Sequence, residues 1–286
     1  MGERNGMVKA GAARRAGVVR VRPAGHLRPF VASYVDFDMA GWPPGRHRGL
    51  PDGTLQLVVC ASGPPIVRSA GQADVRAAAT VGGLRSSPVD IVHDGTQRGV
   101  QVALTPRGAR ALLGLPAAAL AQGVWSLEEV VGCRAHELTD RLASARGPSQ
   151  RARVLDTVLA GWAVDEGYPP VVDAVWRELT GSAGSVPVTS IAGQIGLSHR
   201  HLGQLVRTEL GLTPKTLARI LRFARARGYL QASRTASLAE TAALCGYFDQ
   251  AHMANDWKRL GGCTPGEWIS QELPFLQDRD GARGAG

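Results

Sequence analysis

The sequence predicts two domains: an α+β N-terminal domain, and an all-α C-terminal domain with two helix-turn-helix motifs joined by a long helix. Three observations support this prediction. One pattern of apolar, glycine and basic positions occurs twice within Val188–Trp268. Short β-branched stretches fill residues 23 to about 105. Between these regions the apolar spacing changes from that of strands to that of helices.

The duplicated pattern is the most informative feature of the chain. Its first copy runs from Ile191 to Pro214 and its second from Thr241 to Pro265. Gly196 and Gly246 match at a distance of fifty residues, whereas the Thr-Pro pairs that end the copies match at fifty-one. One inserted residue explains this shift. Because apolar, glycine and basic positions stay in step, we infer an internal structural repeat.

The charge of the chain predicts a polyanionic partner. The 286 residues carry a formal net charge of +9, and one arginine-rich cluster without acids lies between the two copies. Such clustered charge is typical of proteins that bind nucleic acids. The four cysteines form no Cys-x-x-Cys pair, which argues against a disulfide framework or a structural zinc site. This pattern is compatible with a reducing cytoplasm. No apolar run reaches about 18 residues, so we expect no membrane span.

The N-terminal region reads as a sheet or barrel followed by helices. We predict a disordered basic tail over 1–22, an N-terminal domain over 23–166, a C-terminal domain over 167–272 and a flexible tail over 273–286. The predicted strands are Thr54–Cys60, Val89–His93 and Gly99–Thr105. Predicted helices are a turn capped by Thr105-Pro106, a short helix after the capping box Ser126–Glu129, Cys133–Ala145 and Gln150–Ala163.

Catalytic chemistry has little support in this region. His47, His93 and Asp94 are candidates for a site of two histidines and one carboxylate, but they lack the spacing of a metal motif. The serine and glycine pairs form neither a nucleophile elbow nor a phosphate-binding loop. We therefore predict no catalytic residue, no metal site and no cofactor.

The first copy has the features of a DNA-reading motif. Gly196 can adopt the positive φ of a tight turn, and Ser198 is a good N-cap for the following helix. Leu202, Leu205 and Val206 project to one side of that helix, and Arg200, Gln204 and Arg207 to the other. Arginine can bind guanine and glutamine can bind adenine, so Arg200 and Gln204 are base-contact candidates. Arg207 is a phosphate-contact candidate.

The second copy and the connecting helix complete the predicted interface. Asp249 replaces the serine N-cap, and Gln250 and Asn255 are the base-contact candidates. We call the second helix of each motif its reading helix. The connecting helix, predicted over Pro214–Leu230, would hold the two reading helices about 34 Å apart, which is one turn of DNA. The remaining phosphate-contact candidates are Lys215, Arg219, Arg222, Lys258 and Arg259.

These residues resemble the DNA-binding domain of the AraC/XylS family of bacterial transcription regulators. The resemblance is carried by IAGQIGLSHRHLGQLVRTELGLTP and LAETAALCGYFDQAHMANDWKRLGGCTPGEW, about a third of the chain. Gly203 stands where family members often have a side chain that reaches DNA. Residues 47–59 and 99–120 resemble the sensor-like domain of some members, which implies a cupin-like β-barrel followed by dimerising helices over Cys133–Ala163.

The resemblance implies a cytoplasmic, sequence-specific regulator of transcription that is not an enzyme. Double-stranded DNA is the expected partner. RNA polymerase, a small-molecule effector and a second copy bound through the N-terminal domain are further candidates. Two alternatives stay open: a DNA alkylation-repair protein with a methyl-accepting cysteine, and a metal-dependent cupin enzyme.

Overall fold

The N-terminal domain is built on two antiparallel sheets. The computed structural model describes residues 15–233 and 235–272. A six-stranded sheet has the order β1-β2-β8-β4-β6-β9, and a three-stranded sheet has the order β3-β7-β5. The strands are β1 (Arg15–Val21), β2 (Val31–Ala40), β3 (Gly45–Gly49), β4 (Leu55–Ser62), β5 (Ile66–Arg68), β6 (Ala79–Gly82), β7 (Val89–His93), β8 (Gln97–Leu104) and β9 (Val124–Ser126).

Strand β8 lies at the centre of the large sheet, between β2 and β4. Val100, Val102 and Leu104 alternate along it and are almost fully buried, as their period of two predicts. The three strands predicted from β-branched alternation are confirmed as β4, β7 and β8, within a few residues at each end.

The prediction of a cupin-like barrel is wrong in one respect, because the two described sheets do not close into a barrel. The domain is β-rich and carries helices, but within the described residues no strand of the small sheet pairs with the large one. The strands of the small sheet have three to five residues, whereas β2 has ten and β8 has eight. Such short strands cannot supply the hydrogen-bonded ladder that closes a barrel.

The predicted disordered tail is wrong for residues 15–22. Residues 15–21 form β1, which pairs antiparallel with β2 over its whole length, from Arg15 opposite Ala40 to Val21 opposite Tyr34. Pairing with β2 supplies backbone hydrogen bonds that a composition of glycine, alanine and arginine does not reveal. The other predicted tail residues, 1–14 and 273–286, lie outside the described residues.

Helices cover one side of the large sheet. They are α1 (Pro106–Gly108), which continues as a π-helical turn over Ala109–Leu113, α2 (Leu127–Val131), α3 (Arg134–Ala143) and α4 (Pro148–Trp162). The predicted cap of Thr105 on α1 and the capping box of Ser126 and Glu129 on α2 are both present. Helix α4 is tied to the sheet by Arg151, whose Nη2 donates to Asp36 Oδ1 at 2.8 Å. Both side chains of this pair are buried.

The C-terminal domain is all helical. Its helices are α5 (Pro170–Gly181), α6 (Val188–Ile195), α7 (His199–Leu210), α8 (Pro214–Ala232), α9 (Leu238–Leu244), α10 (Gln250–Gly261) and α11 (Pro265–Gln271). Helix α5 packs against α6, α7 and α8. The connecting helix α8 extends two residues beyond the predicted end. No helix of the described chain is long and apolar enough to cross a membrane.

The two domains share one hydrophobic core and two charged contacts. Arg110, after α1, donates to Glu209 of α7 through Nε at 2.9 Å and through Nη2 at 2.6 Å. At a second point, Arg48 of β3 lies 3.1 Å from the Glu272 carboxylate that follows α11. The helix-turn-helix motifs are therefore held against the N-terminal domain rather than suspended from a linker.

Candidate nucleic-acid interface

The two copies fold into turns of the same geometry. Gly196 ends α6 with φ +74°, and Gly246 follows α9 with φ +77°. The Leu197 N–H donates to the Ala192 carbonyl at 3.0 Å, and the matching bond of the second copy is also 3.0 Å. Glycine occupies each turn because its backbone enters the left-handed region without steric cost. The repeat in the sequence is thus a repeat of structure.

The reading helices also begin and end alike. Ser198 accepts a hydrogen bond from the His201 backbone N–H at 3.2 Å, and Asp249 accepts one from that of His252 at 2.7 Å. Each bond satisfies a donor left free at the first helical turn. Both α7 and α10 end at a glycine with positive φ, and in both copies a threonine then caps the next helix.

Helix α7 presents a polar face to solvent. Its apolar side chains Leu202, Val206 and Leu210 are completely buried. Its exposed face carries the three predicted DNA-contact residues Arg200, Gln204 and Arg207. Gly203 lies beside them, and a Cβ at this position would meet no atom within 4 Å. Helix α7 therefore exposes two guanidinium groups and one amide on a single face.

Helix α10 has the same division of faces. Met253, Trp257 and Leu260 are buried, and Trp257 packs edge-on against Phe223 of α8 at a ring distance of 4.9 Å. The opposite face exposes the four predicted contact residues Gln250, Asn255, Lys258 and Arg259. Aromatic packing on α8 fixes the rotation of α10, and hence the direction in which its amides point.

Two of the predicted phosphate-contact residues are engaged inside the domain. Arg219 donates to Asp256 of α10 through Nε at 3.0 Å and also through Nη2. The Arg222 guanidinium lies over the Tyr247 ring, 5.6 Å from its centroid, and donates to the Gly246 carbonyl at 3.4 Å. Both arginines join α8 to the second motif. By contrast, Lys215 is exposed at the start of α8.

Sequence reasoning missed an aromatic residue at the second turn. The Phe248 side chain is 93% exposed, directly before the N-cap Asp249 of α10. An aromatic ring this exposed is unusual for a side chain that gains free energy from burial. Its position between a turn glycine and an N-cap, outside the apolar period of α10, was the available signal.

The helical half of the chain matches a family model described as "Helix-turn-helix domain" over residues 191–271. Residues 191–271 therefore form a helix-turn-helix domain, with two matching turns on one connecting helix and a Thr-Pro pair closing each copy, as the resemblance to AraC/XylS regulators implies. A second model, described as "Domain of unknown function (DUF6597)", matches residues 19–126 of the chain.

Solved structures with similar folds include the regulator ToxT. Apo ToxT with a lysine-to-alanine substitution, from Vibrio cholerae strain SCE256, has a TM-score of 0.53 at 9% identity, covering 83% of this chain and 96% of that chain. Unsaturated fatty acid bound wild-type ToxT from the same strain has a TM-score of 0.48 at 9% identity, covering 92% and 97%.

A transcriptional regulator with an AraC-type DNA-binding domain, from Chromobacterium violaceum, is 23% identical with a TM-score of 0.32, covering 41% of this chain and 96% of that chain. A comparison with curated protein sequences gives no match.

Three of the four cysteines do not have the environment of an activated nucleophile. Burial raises the pKa of the Cys60 thiol to about 11, and it also raises the pKa of Cys245 and Cys263. A methyl-accepting thiol needs the opposite shift. Cys133 is exposed.

The candidate metal residues are only partly brought together. The rings of His47 and His93 lie 5.4 Å apart on neighbouring strands. His93 Nδ1 accepts the Gly95 N–H at 3.1 Å, and desolvation lowers the pKa of this histidine, whereas Asp94 opposes the shift. Within residues 15–233 and 235–272, no group of three or more His, Cys, Asp or Glu side chains could hold a metal ion.

A cavity of about 390 Å³ separates the two sheets and reaches the helical domain. Both sheets contribute to its wall, and α8 and α11 contribute Arg227, Gln231 and Trp268. Arg85, in the loop after β6, also lines the cavity. A volume of this size suits a small organic molecule.

Proposed function

We propose that this protein is a member of the AraC/XylS family and a sequence-specific regulator of transcription that reads two successive major grooves of DNA in the cytoplasm. The observation that carries the proposal is the pair of matching reading helices, each with amide or guanidinium groups on its exposed face. Arg200 and Gln204 of α7, and Gln250 and Asn255 of α10, are the proposed base contacts. These side-chain types match the hydrogen-bonding edges of guanine and adenine.

The proposed phosphate contacts are the exposed cations Arg207, Lys215, Lys258 and Arg259. Such contacts orient the protein on the duplex and make binding dependent on salt. Arg219 and Arg222 act instead as positioning residues, because their guanidinium groups are held by the second motif. Phe248 is a further proposed contact, since an exposed ring can pack on a thymine methyl group.

A small-molecule effector forms the second part of the proposal. The cavity between the sheets is lined in part by residues of α8 and α11, so a bound molecule can touch both domains. A ligand that prefers one arrangement of the domains shifts the equilibrium toward it. Pairing of two chains through α3 and α4, and contact with RNA polymerase, are the remaining parts of the regulatory proposal.

The test separates base contacts from phosphate contacts. An operator is first selected from random duplexes with the wild-type protein. Arg200→Ala should then lower operator affinity by about 1–3 kcal/mol and relax base preference at one position. Arg259→Ala should weaken all sequences alike and reduce the salt slope by about one. Affinities are measured by fluorescence anisotropy over a series of salt concentrations.

Wild-type affinity and salt slope in both variants would contradict these roles. Arg76→Gln serves as the control, because Arg76 is exposed in the loop between β5 and β6, outside the helical domain and outside α3 and α4. Its operator affinity should equal that of the wild type.

A further inference from the structure

Two arginines line the cavity between the sheets without a hydrogen-bonding carboxylate partner. Arg85 is 8% exposed, and its Nη1 is buried without a hydrogen-bond partner. Arg227 enters the same cavity from α8. Among residues 15–233 and 235–272, neither arginine lies within ion-pair distance of a carboxylate. Buried guanidinium groups ordinarily have such partners.

The carboxylates that line the cavity are already occupied. Asp52 Oδ1 accepts from the Thr54 N–H at 3.0 Å, and Gln56 Nε2 donates to Asp52 Oδ2 at 2.9 Å. Glu272 pairs with Arg48 at 3.1 Å. Desolvation lowers the pKa of both Arg85 and Arg227, with Asp52 the charge that opposes the shift in each. The described lining therefore carries an excess of positive charge.

The rest of the lining is polar enough to bind more than an acyl chain. Gln56 and Gln101 enter from the large sheet, and Gln231 from α8. Their amides both donate and accept hydrogen bonds. Gln56 Nε2 already donates to Asp52, and Gln101 Nε2 donates to Gln56 Oε1. The Gln101 carbonyl oxygen and the Gln231 amide are the groups that hydroxyl or carbonyl groups of a ligand would pair with, and a hydrocarbon tail would not.

We infer that this cavity binds a small polar organic anion, with a carboxylate or phosphate group held between Arg85 and Arg227. Planar guanidinium groups bind both kinds of oxyanion through paired hydrogen bonds. The anion would join the loop after β6 to α8, the helix that carries both reading motifs. This inference names the ligand class of the proposed effector response, and it rests on that part of the proposed function.

The experiment measures the melting temperature of the full chain with citrate or pyrophosphate at low millimolar concentration and matched ionic strength. Each anion should raise the wild-type melting temperature by about 2 °C or more. The rise should be lost in Arg85→Gln and in Arg227→Gln, and kept in the exposed control Arg76→Gln. Glucose and oleate serve as the uncharged and the apolar comparison.

The ligand-free melting temperature gives an independent readout. Since Arg85 lacks a partner, Arg85→Gln should match or exceed the wild-type value without ligand, whereas loss of a structural arginine would lower it. If that variant does not fold, Arg227→Gln decides the ligand response.

Four results would overturn the inference. The first two are no rise in melting temperature with either anion, and an equal rise in all four proteins, which would indicate a general salt effect. The third is a rise with oleate or glucose that depends on the arginines while the anions give none, and the fourth is a lower ligand-free melting temperature in Arg85→Gln with the anion response kept. Operator binding is measured in parallel with and without the anion. If the wild type binds no operator under either condition, the DNA-binding proposal is refuted and the anion site still stands.

Discussion

At the scale of single residues, some cationic side chains of the C-terminal domain pair inside the domain and others are exposed to solvent. Arg219 and Lys215 lie on the same helix, but only Arg219 is paired, with an Asp256 that is 2% exposed. Removing one member of a buried ion pair leaves an uncompensated charge, which is strongly destabilising. An exposed lysine has no such role.

We therefore expect Arg219→Ala to lower the free energy of unfolding by about 3 kcal/mol. Lys215→Ala should change the free energy of unfolding by less than about 0.5 kcal/mol while reducing the salt slope of DNA binding by about one. Urea denaturation and anisotropy titrations measure the two quantities. Equal stability of both variants would show that the Arg219–Asp256 pair does not support the domain.

The exposed residues of the reading helices were predictable, whereas their internal partners were not. Projection at 100° per residue depends only on spacing, so it placed Arg200 and Asn255 outside and Met253 inside correctly. The burial of Asp256 and Glu209 depends on arginines 37 and 99 positions away. Nothing in the local pattern identifies such partners.

At the scale of elements, the two glycines of α7 have different roles. Gly203 lies within the helix with open space around its Cα, whereas Gly211 ends the helix with φ +72°. A Cβ on Gly211 would lie 2.4 Å from Ala121 Cβ of the N-terminal domain. Only Gly211 is therefore required by the backbone and by the packing.

Gly203→Ala should raise the free energy of unfolding by about 0.5–1 kcal/mol, because alanine loses less backbone entropy in a helix. Gly211→Ala should lower it by more than about 1 kcal/mol, since the left-handed conformation and the close contact both oppose a Cβ. Chemical denaturation of the two variants measures both effects. A loss of stability in Gly203→Ala would contradict the open environment of this residue.

Elements with strong periodicity or caps were predictable from the sequence, and paired edge strands were not. Caps such as Thr105, Ser126 and Ser198 bond backbone groups only a few residues away, so they can be found from the sequence alone. Each predicted helix start therefore lies within a residue or two of the observed start. Strand β1 forms by pairing with β2, which follows it after a short helical turn. The glycine and arginine residues of β1 do not have the composition typical of a strand. The division of the strands into two sheets also depends on contacts distant in sequence.

At the scale of the whole molecule, Arg110 and Glu209 join the first reading helix to the N-terminal domain. The Glu209 side chain is 5% exposed and Arg110 is its ion-pair partner. The neighbouring arginine, Arg107, pairs with Asp165, and these two side chains are 34% and 36% exposed. The buried pair should therefore contribute more than the exposed one.

We expect Arg110→Ala to lower the free energy of unfolding by about 3 kcal/mol and to increase hydrogen exchange at the end of α7. Arg107→Ala, the matched control, should cost less than about 1 kcal/mol. Chemical denaturation and hydrogen exchange with mass spectrometry measure these effects. Identical exchange in the two variants would mean that Arg110 does not hold α7.

The central claim is that one chain places two reading helices in successive major grooves. Methylation interference on the selected operator tests it most directly. We predict two patches of contacted purines about one helical turn apart on one face of the duplex. Arg200→Ala should remove contacts in one patch only, and Asn255→Ala in the other only. A single patch, or two variants that lose the same base pairs, would contradict the claim.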